Sequence, residues 1–101
     1  MILVVVEFLL QPNAQDKFDS ALLEMQSRVA NYEGFLGEEP CRAVSDPDKY
    51  ITLFRFSDRE AVEAWRNDEQ HLRVQALGKS DILSWYRITV ADVEREYEVT
   101  C

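Results

Sequence analysis

A chain of 101 residues with 47% apolar and 11% aromatic content can bury a single core and is too hydrophobic to stay disordered. Nineteen acidic against eleven basic residues give a net charge of -8. That field disfavours nucleic acid and anionic membrane as partners, and it also serves to keep a small protein soluble. The apolar opening, residues 1–10, has no basic n-region and is too short to span a bilayer, so it is expected to be a strand in a cytoplasmic protein. One domain over residues 1–101 is expected.

From Ile2 to Leu10 the chain is rich in β-formers. Ile2, Val4, Val6, Phe8 and Leu10 share one face and Leu3, Val5, Glu7 and Leu9 the other. Gln11–Pro12–Asn13 ends this strand, and Asn13 is expected to cap a helix running to about Tyr32. Phe18, Leu22, Met25, Val29 and Tyr32 are spaced for one buried stripe, with Asp19, Glu24, Gln26 and Arg28 on the solvated side. Glu33–Gly34 stops the helix. A second strand is expected from about Phe35 to Val44, joined through the turn Ser45–Asp46–Pro47–Asp48 to a third from Tyr50 to Phe56. Ser57–Asp58–Arg59–Glu60 reads as a capping box with Ser57 at the N-cap, opening a helix with Ala61, Val62, Ala64 and Trp65. Asn67–Asp68 interrupts it before a short third helix holding His71, Leu72, Gln75 and Ala76, which Gly78 ends. The last strand is expected from about Ile82 to Tyr97.

The order β-α-β-β-α-β predicts an α+β chain of ferredoxin-like, split βαβ type with an antiparallel sheet. The helices cover one face of such a sheet. A second face in water should be polar, yet Val, Leu, Ile, Phe and Tyr recur on both faces here. A second copy of the protein is the simplest cover, which predicts a homodimer packed sheet against sheet.

Cys41 and Cys101 belong to no CxxC or Cys/His cluster, so a zinc site lacks ligands and both are expected to be free thiols. The only histidine, His71, and the only tryptophans, Trp65 and Trp85, all fall between residues 65 and 85. That concentration marks the candidate site.

Four features together resemble the antibiotic biosynthesis monooxygenase family of the dimeric α+β barrel superfamily. They are the opening strand from Val4 to Leu10, the turn Tyr32–Glu33–Gly34–Phe35, the segment Ala61–Val62–Glu63–Ala64–Trp65 with His71 six residues after its tryptophan, and the terminal run from Tyr86 to Tyr97. The resemblance covers nearly the whole chain and implies a dimer through packed sheets. It also implies oxidation of a small aromatic or quinol by dioxygen, with no metal or organic cofactor. Quinone-forming members keep the matching tryptophan in a pocket between helices and sheet and place a proton-exchanging side chain six residues on, here His71. Ala61 stands where they tend to carry asparagine. Haem-degrading relatives need a first-strand asparagine and a histidine about ten residues past the tryptophan; Glu7 and Gln75 stand there, which disfavours haem degradation.

Reaction of an electron-rich phenol with dioxygen needs a base and a dry, shaped pocket. His71 is the expected acid/base because its intrinsic pKa lies near working pH. Trp65, Phe54 and Trp85 are candidate pocket walls; Trp85 and Tyr86 point to opposite faces of their strand, so at most one of them lines the same pocket. Arg87 shares the Trp85 face and is a candidate either for an enolate or carboxylate oxygen or for an ion pair at the dimer interface. Glu7, the one charge in its strand, requires a polar pocket or a cation such as Arg55 or Arg87. Two other functions use the same fold: a non-oxidative isomerase moving a proton between Glu7 and His71, and a small-metabolite binding module.

Overall fold

Alternating apolar side chains along four segments and helical spacing along two others produce the order β1 (Ile2–Leu10), α1 (Gln15–Val29), β2 (Phe35–Arg42), β3 (Lys49–Phe56), α2 (Arg59–Arg66) and β4 (Leu83–Asp92). The structure, a computed structural model, describes residues 1–68 and 81–101. The strands pair antiparallel in one sheet of order β2-β3-β1-β4. The two strand–helix–strand halves interleave, which is the ferredoxin-like split βαβ arrangement. The expected third helix around His71, Leu72, Gln75 and Ala76, with its stop at Gly78, lies outside the described residues.

Register decides which face does what. Ile2, Val4, Val6 and Phe8 of β1 stand beside Phe56, Phe54, Thr52 and Tyr50 of β3 and beside Asp92, Val90, Ile88 and Tyr86 of β4. Both helices pack on this face: Ile2, Val4 and Phe56 share the core with Val29 of α1 and Ala61, Val62 and Trp65 of α2, and Met25, Tyr32, Phe35 and Phe54 pack around it. Phe18, Leu22 and Met25 follow the expected α1 stripe, all partly buried. The opposite face carries Leu3, Val5, Glu7 and Leu9, flanked by Arg55, Leu53, Ile51 and Lys49 on β3 and by Ala91, Thr89, Arg87 and Trp85 on β4.

Local details differ from expectation at four points. The α1 cap is Ala14, with no side-chain hydrogen bond, and Asn13 instead adopts a left-handed φ of 62°. Asparagine tolerates that conformation well, so the residue turns the chain rather than capping it. The α2 cap is Asp58 rather than Ser57: Asp58 is extended and its Oδ1 accepts the Ala61 N–H at 2.8 Å. Helix α1 ends at Val29, which leaves Tyr32 in the following turn. Strand β4 ends at Asp92, not Tyr97, because its ladder partner β1 begins at Ile2 opposite that residue; the Val93 N–H closes the pairing on the Met1 carbonyl at 3.0 Å.

Gly34 is the tightest joint. Its φ is +86°, and a Cβ there would lie 2.6 Å from the Ala61 Cβ and 2.7 Å from the Ser57 Oγ. Only glycine lets the α1–β2 turn approach the start of α2 this closely.

Candidate functional site

Helix α2 seats Trp65. The Asp58 cap starts the helix so that Ala61, Val62 and Trp65 share one face, and all three are buried. Trp65 is 6% exposed and takes the Tyr32 ring edge-on, with centroids 5.1 Å apart and planes at 72°. Phe54 stacks near Phe56 at 6.5 Å on the same side of the sheet. Val4 shares the core with Trp65 and pairs with Val90 on β4. From there the helix-side face continues along Val90, Ile88 and Tyr86, which keep 58%, 46% and 38% of their surface accessible. Val4, which shares the core with Trp65, thus stands beside an accessible apolar strip on the same sheet face, the form of a small-molecule platform.

Asp68 locks the end of α2 to the end of α1. Its carboxylate accepts from Arg28 Nη2 at 3.0 and 3.3 Å and from the Tyr32 hydroxyl. Hydrogen bonding to Asp68, reinforced by burial, pushes the Tyr32 pKa upward. The hydrogen bonds that Arg28 itself donates to Asp68 raise its own pKa. Arg28 is thus tied to Asp68 while its side chain stays 41% exposed, so the solvated face assigned to it from the sequence holds in part. This clamp was missed there; the signal was Arg28 and Tyr32 at i,i+4, which brings two donors to one side of the chain and calls for an acceptor. Glu38 was missed as well. It lies on the helix side of β2 opposite Phe54, and burial pushes its carboxyl above the usual range. In the pair Glu38–Glu39, strand alternation sends one of the two to the helix side.

The sequence-selected residues divide between the two faces. Trp65 and Phe54 lie on the helix side, whereas Glu7, Trp85 and Arg87 lie together on the opposite face. Glu7 pairs directly across from Arg87, accepting from its Nε at 2.7 Å and its Nη2 at 3.0 Å, and Lys49 reaches the same carboxylate at 2.9 Å. Arg87 and Lys49 both approach the Trp85 ring at 5.6 Å from its centroid. Arg55, the other partner considered for Glu7, meets Glu96 at 3.5 Å instead. The Arg87 and Lys49 hydrogen bonds hold the Glu7 pKa down at about 2. So weak a base ion-pairs rather than accepting substrate protons near neutral pH. His71 lies outside the described residues. Cys41 is half-buried, Cys101 is exposed, and both are free thiols.

The sequence model of the antibiotic biosynthesis monooxygenases matches residues 1–77, about three quarters of the chain. The chain belongs to the antibiotic biosynthesis monooxygenase family. A jasmonate monooxygenase from Pyricularia oryzae is 25% identical over 93 residues, which is 92% of this chain and 43% of the fungal protein. The chain therefore spans less than half the length of that relative. Many solved structures share the fold of this monooxygenase-family chain. Rv0793 from Mycobacterium tuberculosis superposes with a TM-score of 0.84 at 16% identity, covering 96% of this chain and 98% of that one. SnoaB, a cofactor-independent oxygenase from Streptomyces nogalater, superposes with a TM-score of 0.78 at 16% identity, covering 94% of each. No helix among the described residues is long and apolar enough to cross a membrane.

Proposed function

We propose that the protein is a cofactor-independent monooxygenase acting on a small aromatic or quinol substrate bound on the helix side of the sheet. The observation that carries this reading is the buried Trp65 on the same side of the sheet as the accessible strip Tyr86, Ile88 and Val90, joined to it through Val4. Family membership and a cofactor-independent oxygenase with the same fold support it. In the reaction, a methylene C–H or phenolic O–H proton passes to a base, and the resulting anion delivers electrons to dioxygen. From a ring methylene, four electrons reduce dioxygen so that one oxygen atom ends as the new carbonyl and the other leaves as water; a hydroquinone that gives only two electrons yields its quinone and hydrogen peroxide. His71 is the base in this scheme, Trp65 and Phe54 are apolar walls, and the Asp68 clamp on Tyr32 keeps the Trp65 ring in place.

Oxygen uptake with a panel of anthrones and hydroquinones tests the scheme. Removing a general base lowers turnover on the order of 10²-fold or more, so His71→Ala should lose at least that much while Trp65→Phe raises KM. Turnover unchanged in His71→Ala would defeat the assigned role.

We also propose a homodimer through the sheet face opposite the helices. Leu3, Val5, Leu9, Ile51 and Leu53 make that face apolar, and both described helices pack on the other side. Glu7, Lys49, Arg87 and Trp85 would lie within such an interface, so a role there, rather than in the substrate pocket, follows for Glu7, Trp85 and Arg87.

A further inference from the structure

Away from Trp65, where the first half of α1 crosses the β2–β3 edge, lies a cleft of about 240 Å³. Its apolar wall is the aromatic trio Phe8, Phe18 and Tyr50, whose centroids stand 5.2 to 5.4 Å apart. Two polar groups in it are not consumed by the fold. Thr52 is the buried polar residue of the sheet, 6% exposed, and its hydroxyl makes no hydrogen bond among the described residues although it lines the cleft. The hydroxyl oxygen stays accessible from the cleft, where it can bond whatever occupies the space. Arg42 lies over the Tyr50 ring at 4.7 Å and donates to its hydroxyl at 2.6 Å, yet it forms no ion pair among the described residues. In a chain of net charge -8, a guanidinium beside an apolar cleft with its fork free of carboxylates is a ready anion site.

The order of groups along the cleft fixes the orientation of a ligand. Arg42 and Tyr50 pair at one end, and Pro40 and Thr52 pair two positions further along the same face, about 7 Å away by strand geometry. Glu38 follows two positions beyond and repels negative charge there. An occupant is therefore anionic at the Arg42 end, flat and apolar in the middle, and hydrogen-bonding at the Thr52 end.

We propose that this cleft is a second small-molecule site that takes a hydroxylated aromatic carboxylate, its carboxylate on Arg42 and its hydroxyl on Thr52. Arg42 is exposed and Thr52→Val conserves shape at a hydroxyl that bonds nothing in the protein, so both substitutions leave the fold intact. The test is an amide-resolved NMR titration with 4-hydroxybenzoate, benzoate and phenol on the full chain. The expected result is saturable shifts at Arg42, Tyr50 and Thr52 with 4-hydroxybenzoate binding tightest of the three. Arg42→Ala should weaken that binding by about tenfold or more, and Thr52→Val should erase the preference for 4-hydroxybenzoate over benzoate. The proposal is overturned if the shifts do not saturate, if they centre on Ile88 and Val90, if phenol binds as tightly as 4-hydroxybenzoate, or if Arg42→Ala binds unchanged. Oxygenase turnover is a separate measurement, so the failure of either reading leaves the other open to its own test.

Discussion

Glu7 is held by two cations on the sheet face away from the helices. A lone carboxylate in an apolar strand demanded a cation, and the cross-strand register supplies two, Arg87 and Lys49. Its pKa is lowered from 4.5 to about 2, so the folded state binds fewer protons than the unfolded chain between those values. The resulting stability is fully present above pH 4.5 and is lost as pH falls toward 2. Glu7→Gln should flatten that acid limb in thermal melts recorded between pH 5 and pH 2, and an unchanged limb would mean the pair contributes nothing. Tyr32 works in the opposite sense. Its raised pKa stabilises the fold below pH 10, and that contribution disappears as pH climbs through the higher folded value. Tyr32→Phe should therefore reduce the alkaline loss of stability measured above pH 10. Why Glu7, Trp85 and Arg87 were grouped with Trp65 from sequence alone is also a residue-scale matter. Alternation correctly put Trp85 and Arg87 on one face, but β1 is apolar on both sides, so nothing local said which side the helices choose.

At the scale of elements, the strands and the α1 stripe were legible because their periods of two and 3.6 are written in large apolar side chains. The caps were not. Ser57 and Asp58 are both good N-cap residues one position apart; Asp58 takes the Ala61 N–H, while the Ser57 N–H donates to the Gly34 carbonyl. The length of β4 was overestimated for a different reason: composition permits a strand to Tyr97, but a strand ends where its ladder partner does. The Gly34 joint carries the strongest prediction at this scale. Gly34→Ala adds a left-handed backbone penalty and a collision with Ala61, together about 2–4 kcal/mol, readable as a drop in denaturant midpoint. A variant as stable as the wild type would show that the turn and α2 do not meet as described.

For the whole molecule, the proposed function gives the two faces of one sheet separate roles: substrate on the helix side, a second copy on the other. Val5 lies between Leu53 and Thr89 in the middle of the second face. Val5→Glu should move the protein from dimer to monomer in sedimentation at micromolar concentration; a wild type that is already a stable monomer there would remove the dimer. The chemistry itself is tested most directly by running the anthrone and hydroquinone panel twice, once in air and once anaerobically, with purified protein and no added metal or cofactor. The proposed oxygenase gives protein-dependent product in air, with oxygen consumed in step, and none without oxygen. Turnover that persists anaerobically would contradict it and make the protein a non-oxidative enzyme of this fold, and saturable binding with no turnover in either atmosphere would make it a binding module.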